Sequence, residues 1–164
     1  MGILKPQYKF RRIFEIPVDF FRNNGICHLI LDIDNTLSYH DSQEISEEVL
    51  AWLSKMKENG IDMALLSNNK PHRVLPFAEK LEIPFVPGAG KPLLKGYKEV
   101  LRRFNWEKEK TASIGDQLFT DIWGANRLRI MSVMVEPFHR ESGKFLRFKR
   151  VLERIILKGE REYD

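Results

Sequence analysis

The segment Ile26-Cys27-His28-Leu29-Ile30-Leu31-Asp32-Ile33-Asp34-Asn35-Thr36 starts as an apolar run and ends in a polar cluster. A short apolar run of this kind is typical of a buried strand, so we predict a strand over residues 26–33. The carboxylates of Asp32 and Asp34, which are separated by one residue, lie at the end of this strand. Their charges repel one another unless a cation or a shared proton compensates. The segment therefore predicts a buried strand with a charged site at its carboxyl end.

Helical and strand-like patterns alternate along the chain after this segment. Ser46 is a suitable helix N-cap, and Asn59-Gly60 is a suitable end for the helix that follows it. Further strands are predicted over residues 62–67, 83–86, 111–114 and 130–135, and further helices from Pro71, from Pro92 and over residues 118–128. This alternation predicts an α/β fold, a three-layer Rossmann-like core with a mostly parallel sheet.

The length and composition indicate one globular domain over residues 1–164. The 164 residues are 43% hydrophobic and 30% charged, and the single cysteine excludes an intramolecular disulfide framework. No apolar run approaches the length of a membrane span, and no secretory signal is apparent at the start. We therefore expect a cytoplasmic protein.

Positive charge is concentrated at both ends of the chain. Residues 1–24 hold five basic residues against two acidic ones, and residues 140–158 hold seven against two. Apolar residues recur with helical spacing in both segments, which predicts a basic amphipathic N-terminal extension and a basic amphipathic C-terminal helix. Such helices either lie on the inner face of an anionic membrane or dock their apolar faces on the domain, and both alternatives stay open here.

Three further polar clusters follow predicted strands. They are Ser67-Asn68-Asn69, Gly90-Lys91-Pro92, and Gly115-Asp116 with Asp121 five residues later. In an open parallel sheet, ligands bind where the carboxyl ends of the strands meet, so these clusters are expected to converge with the first one.

The converging residue types indicate phosphate chemistry with a hard cation. Asp116 can join Asp32 and Asp34 around Mg²⁺, which prefers carboxylate oxygens and phosphate. Lys91 can offset the charge of a phosphate dianion, and Ser67 offers a hydroxyl to a phosphate oxygen. Lys95 is a rival to Lys91, but Lys91 precedes the proline that opens a helix and so stays in the loop.

The ordered set Asp32-x-Asp34-x-Thr36, Ser67, Lys91 and Gly115-Asp116-x4-Asp121 resembles the four motifs of the haloacid dehalogenase (HAD) superfamily, over about residues 26–136. The resemblance implies a Mg²⁺-dependent phosphomonoester hydrolase that works through an aspartyl-phosphate intermediate. In this sequence it implies that Asp32 is the nucleophile and a metal ligand. It further implies that Asp34 is the general acid and base and binds the metal through its backbone carbonyl.

The resemblance also implies roles for the remaining motif residues. Asp116 becomes the third metal ligand, and Ser67 and Lys91 hold the transferred phosphoryl group. Thr36 and Asp121 support the catalytic geometry. The neighbouring polar residues Asn35 and Asn68 are further candidates for phosphate or substrate binding.

No cap domain is expected over this site. Only 30 residues separate Thr36 from Ser67, and 23 separate Ser67 from Lys91, and the predicted elements occupy both intervals. An open site favours a phosphate group attached to something bulky. His40 lies in the first interval, and we interpret it as a solvated loop histidine, with contact to substrate as the alternative.

Shorter strings resemble one branch of the superfamily. Asp-Ile-Asp-Asn-Thr-Leu and Gly-Asp-Gln-Leu-Phe-Thr-Asp resemble subfamily IIIA, and Leu65-Leu66-Ser67-Asn68-Asn69 resembles its YqeG-like branch, which is related to phosphatidylglycerophosphate phosphatases. The resemblance implies hydrolysis of phosphatidylglycerophosphate, an anionic phospholipid, to phosphatidylglycerol at a membrane surface. Two alternatives remain: a phosphatase for a soluble sugar, nucleotide or protein phosphate, and a non-catalytic basic adaptor for RNA or protein. We expect no nucleic acid partner, since interleaved aromatic residues typical of RNA recognition are missing.

Overall fold

In the computed structural model, which describes residues 2–40 and 42–138, six strands form one sheet in which every paired neighbour is parallel. The strands are β1 (Tyr8–Phe10), β2 (His28–Leu31), β3 (Asp62–Leu66), β4 (Phe85–Val86), β5 (Thr111–Gly115) and β6 (Met131–Val135). Their order across the sheet is β1-β6-β5-β2-β3-β4. The apolar run quoted above therefore supplies an interior strand, β2, between β5 and β3.

Helices cover both faces of the sheet. In the described part of the chain they are α1 (Val18–Asn23), α2 (Glu47–Glu58), α3 (Pro71–Leu81), α4 (Leu94–Phe104) and α5 (Trp123–Leu128), and a π-helical turn at Leu118–Ile122 leads into α5. Leu29 and Leu31 of β2 pack in the core that contains α1, α2 and α3, whereas Ile30 packs with α4 and α5. The predicted three-layer α/β fold is confirmed, with element ends shifted by one or two residues.

The N-terminal residues are part of the domain, but not as one helix. Tyr8–Phe10 pair with Val133–Val135 at the edge of the sheet, and a 3-10 turn at Ile13–Glu15 precedes α1. A single helix over residues 10–21, which the helical spacing of the apolar residues indicated, is therefore wrong. Those residues belong to a strand, a turn and a helix; the turn and the helix each bury an apolar side chain, and Phe10 of the strand is partly buried.

The apolar residues of this N-terminal segment pack on the core. Ile13, Ile16, Val18 and Phe21 are buried, so docking on the domain is the alternative that holds at this end of the chain. The basic helix predicted over residues 140–158 lies outside the described residues, and it stays a prediction.

The connections between the strands leave the site uncapped. Between Thr36 and Ser67 the described chain forms α2 and β3, and between Ser67 and Lys91 it forms α3 and β4, with no inserted domain among these described residues. The described residues also hold no helix that combines the length and the apolar composition needed to cross a membrane.

Candidate active site

The four polar clusters converge at the carboxyl edge of the sheet. The strands β2, β3, β4 and β5 all run in the same direction, so the loops that follow them meet there. They enclose a hollow of about 120 Å³, which has room for a phosphoryl group. It is lined by Asp32, Asp34, His40, Ser67, Asn68, Asn69, Lys91, Gln117 and Thr120.

Lys91 connects two of the clusters. Its Nζ atom lies 2.7 Å from Oδ1 of Asp32 and 2.6 Å from Oδ1 of Asp121, and its side chain is 4% exposed. Burial alone would lower the pKa of Lys91, but the carboxylates of Asp121 and Asp32 outweigh burial and raise it. Lys91 is therefore a permanent cation in the hollow, whereas Lys95 is exposed on α4.

Asp121 is fixed from several sides. Its Oδ1 accepts from Lys91, its Oδ2 accepts from the backbone N–H of Gln117 at 3.1 Å, and its carbonyl accepts from the hydroxyl of Tyr97 at 3.0 Å. A side chain at Gly115 would overlap the Asp121 carboxylate, so only glycine fits there. Burial raises the pKa of Tyr97, which keeps this hydroxyl protonated as a donor.

Three buried carboxylates form a group suited to a divalent cation. Ligand atoms of Asp32, Asp116 and Asp121 lie within 4.8 Å of one another. Burial, and next the charge of Asp121, raise the pKa of Asp32 to about 7, although Lys91 acts in the opposite direction. When all three are ionised they exceed the charge of Lys91 by two, and hard oxygen donors with this excess fit Mg²⁺.

The carboxylate of Asp34 faces a different set of partners. Its Oδ1 lies 3.1 Å from Nη2 of Arg73 and 4.0 Å from Nδ1 of His40, and its Oδ2 accepts from the amide of Asn69. The side chain is therefore separate from the three-carboxylate group. The predicted role of Asp34 in metal binding concerns its backbone carbonyl, and it stays a prediction.

The three residues that follow β3, Ser67, Asn68 and Asn69, all line the hollow. Ser67 is buried, and its Oγ accepts from the backbone N–H of Asn69 at 3.0 Å. Asn68 lines the hollow, but its amide bonds the backbone of Lys91, with Oδ1 accepting at 2.7 Å and Nδ2 donating at 3.1 Å. The side chain of Asn68 therefore bonds the lysine loop, and a phosphate contact of Asn68 stays a prediction.

Asn35 and Thr36 shape the loop after β2. Both are buried, and neither is among the residues that line the hollow. Asn35 has a φ of 58°, a left-handed conformation that asparagine tolerates better than most residues, and its N–H donates to the carbonyl of Ser38 at 2.7 Å. Direct phosphate binding by Asn35 and a catalytic role for Thr36 stay predictions.

Four residues of the site were assigned no role from the sequence. They are Asn69, Arg73, Gln117 and Thr120. Gln117 and Thr120 stand between Asp116 and Asp121, and Asn69 closes the run that starts at Ser67, so their positions in the motifs were available as a signal. Arg73 has a weaker signal, its place in the first turn of the helix opened by Pro71.

Comparison with known proteins identifies the family of this chain. A family model described as haloacid dehalogenase-like hydrolase matches residues 7–129. A protein of Bacillus subtilis (strain 168) that bears the name Probable phosphatase YqeG is 36% identical over 152 residues, which cover 93% of this chain and 88% of that protein.

Solved structures share the fold at lower identity. The 3-deoxy-D-manno-octulosonate 8-phosphate phosphatase of Yersinia pestis superposes with a TM-score of 0.53 at 20% identity, covering 87% of this chain and 86% of that one. The corresponding enzyme of Moraxella catarrhalis, solved with a magnesium ion, a phosphate ion and KDO, has a TM-score of 0.52 at 17% identity, covering 85% of this chain and 91% of that one. At these identities the likeness supports the fold.

Proposed function

This chain belongs to the haloacid dehalogenase-like hydrolase family, and we propose on that premise that it is a magnesium-dependent phosphomonoester hydrolase with Asp32 as the nucleophile. The observation that carries the proposal is the contact of Lys91 with Asp32 inside a hollow that also contains Ser67. A carboxylate, a permanent cation and a hydroxyl donor around one small space match the needs of phosphoryl transfer to a side chain.

The proposed reaction has two steps. First, a carboxylate oxygen of Asp32 attacks phosphorus, the bond to the leaving oxygen breaks, and Asp34 gives its proton to that oxygen. Next, water attacks the phosphorus of the aspartyl phosphate while Asp34 takes its proton. The bond from phosphorus to Asp32 breaks, phosphate is released, and both aspartates return to their starting states.

The other residues hold the phosphoryl group and the metal ion. The Ser67 hydroxyl accepts from Asn69, so its own hydrogen can be donated to a phosphate oxygen. Asp32, Asp116 and the backbone carbonyl of Asp34 would hold Mg²⁺, which when bound offsets the charge of the phosphate. Both oxygens of Asp121 already accept hydrogen bonds, which favours the supporting role for this residue.

The substrate that we propose is phosphatidylglycerophosphate. The branch resemblance of the motifs supports it, and so does the uncapped site. Positive charge on the same edge is a third support, because Arg11 follows β1 and Lys70 follows β3, and both are exposed. Residues 140–158, with their seven basic residues, follow β6 in the sequence. Exposed basic residues on the edge that holds the site suit a phosphomonoester carried on an anionic membrane.

A phosphate-release screen tests the substrate. We expect the wild-type protein to hydrolyse phosphatidylglycerophosphate in mixed micelles with Mg²⁺, more efficiently than soluble sugar, nucleotide and protein phosphates. Chelation of the metal and the Asp32→Asn substitution should each abolish release. Efficient hydrolysis of a soluble ester without hydrolysis of the lipid would refute the substrate. Failure with every ester, together with retention on RNA or a protein, would favour a basic adaptor.

A further inference from the structure

Two residues outside the predicted catalytic set hold the side chain of Asp34. Arg73 contacts Oδ1 at 3.1 Å, and the amide of Asn69 donates to Oδ2. The Arg73 and Asp34 side chains are 20% and 14% exposed, so water competes little for the contact. A charge-assisted hydrogen bond sheltered in this way is strong enough to fix a carboxylate in one orientation.

The two partners of Asp34 are themselves fixed by the chain. The backbone N–H of Asn69 donates to the Ser67 hydroxyl at 3.0 Å, and its carbonyl accepts from Gly88 at 2.8 Å. Arg73 lies in the first turn of α3, and its N–H donates to the carbonyl of Lys70 at 3.0 Å. The segment between β3 and α3 therefore joins the phosphate-binding serine to the residues that hold Asp34.

We propose that Arg73 and Asn69 are positioning residues that aim the carboxyl group of Asp34 at the leaving oxygen. This inference rests on the proposed function, in which Asp34 donates the proton as the ester bond breaks. Neither residue touches the reacting atoms in this account. They act by fixing where the proton of Asp34 is delivered.

Both partners act as donors to the carboxylate of Asp34. A guanidinium group has only donors, so Oδ1 accepts from Arg73, and Oδ2 accepts from the amide of Asn69. A contact on each oxygen fixes both the position and the plane of the carboxyl group. The two contacts therefore hold Asp34 in one orientation at the hollow that it lines.

The leaving group separates this role from a general contribution to folding or to phosphate binding. An alkyl phosphate, such as glycerol phosphate, releases a strongly basic oxygen that needs the proton. In contrast, para-nitrophenyl phosphate releases a weakly basic oxygen that needs little help. The parameter kcat/KM covers only the steps through formation of the aspartyl phosphate, so later release of phosphate does not obscure the comparison.

The experiment measures kcat/KM for both esters in the full chain with Mg²⁺. We expect Arg73→Met to lower the value for glycerol phosphate by about 100-fold and the value for para-nitrophenyl phosphate by less than about fivefold. Arg73→Lys, which keeps a donor, should recover part of the loss. Arg102→Met is the matched control, because Arg102 pairs with Glu99 on the exposed surface of α4.

Other outcomes would overturn the inference. Equal losses for the two esters in both Arg73 variants would indicate phosphate binding or a folding defect, which thermal unfolding of each variant identifies. Unchanged values for both esters would show that Asp34 needs no such support. A wild-type protein that releases phosphate neither from these two esters nor from phosphatidylglycerophosphate would overturn the proposed function itself, and this inference with it.

Discussion

At the scale of single residues, the energetics of the site are dominated by like charges that burial forces together. Asp32, Asp116 and Asp121 offer oxygens within 4.8 Å of one another, and Lys91 offsets only part of their charge. Burial and the Asp121 carboxylate therefore raise the pKa of Asp32 to about 7, from 3.8. A divalent cation relieves this repulsion, so the metal should stabilise the fold as well as serve the reaction.

The raised pKa of Asp32 predicts a pH-dependent effect of Asp32→Asn in metal-free protein. A carboxyl group whose folded pKa exceeds its unfolded pKa destabilises the fold as pH rises through the interval between them, here from about 4 to about 7. The variant lacks this ionisation. The midpoint of thermal unfolding of the variant, relative to that of the wild type, should therefore be higher at pH 8 than at pH 5. The change should be roughly 2–4 °C for each kcal/mol of destabilisation that the substitution removes.

Thermal unfolding in the presence of a chelator measures this difference. Asp19→Asn serves as the control, since Asp19 is largely exposed and pairs only weakly with Arg22 at 3.7 Å. A difference in unfolding midpoint between Asp32→Asn and the wild type that is the same at pH 5 and pH 8 would contradict a raised pKa of Asp32. Addition of Mg²⁺ should stabilise the wild type and should stabilise Asp32→Asn much less.

At the scale of elements, the site depends on how the segment after β3 is joined to the loop after β4. Asn68 bonds the N–H and the carbonyl of Lys91, and the N–H of Ala89 donates to the carbonyl of Ser67 at 2.9 Å. These bonds continue the pairing of β3 with β4 beyond the end of the sheet. They fix the loop that carries Lys91.

Removal of the Asn68 amide should therefore displace Lys91 without unfolding the protein. We expect Asn68→Ala to lower kcat/KM by about 10- to 100-fold. The loss should be equal for glycerol phosphate and para-nitrophenyl phosphate, because the role proposed for Lys91 concerns the phosphoryl group that both esters share. Asn59→Ala is the control, since Asn59 bonds Arg22 and Lys55 far from the hollow. A loss confined to the alkyl ester would contradict the assigned role.

The elements also show what the sequence could predict. Interior parallel strands are buried on both faces, so β2 and β3 appear as largely apolar runs, and β5 as a run of small and apolar residues. The polar residues at the ends of these strands converge as expected. The three-residue strand β1 escaped prediction because its pairing of Tyr8 with Val133 spans most of the chain. The orientation of Asp34 toward Arg73 depends on side-chain packing, which periodicity does not report.

At the scale of the whole molecule, the parallel sheet gathers basic loop residues on the edge that holds the site. The N-terminal segment contributes to the core as well, with Ile13 and Phe21 fully buried. Loss of each such side chain costs about 2–5 kcal/mol, so removal of residues 1–24 would unfold the domain. The role of charge at this edge is therefore better examined by substitution than by truncation.

Charge reversal at the carboxyl edge tests the proposed binding to an anionic membrane. We expect the double variant Arg11→Glu and Lys70→Glu to bind phosphatidylglycerol-containing vesicles at least about tenfold more weakly, with hydrolysis of para-nitrophenyl phosphate little changed. Cosedimentation with anionic and zwitterionic vesicles measures this. The control is Lys5→Glu with Lys108→Glu, the same charge change at residues that precede β1 and β5 on the opposite edge. Equal weakening by both pairs would contradict a role for the site's edge.

The most direct test of the account follows the phosphoryl group itself. Protein that is turning over a phosphomonoester with Mg²⁺ is quenched in acid, digested, and analysed by mass spectrometry for the peptide that contains β2 and its loop. We predict one phosphoryl group on Asp32 during turnover, and none in Asp32→Asn or after the substrate is exhausted. Steady turnover with no phosphoryl group on the protein, or with the group on another residue, would contradict Asp32 as the nucleophile.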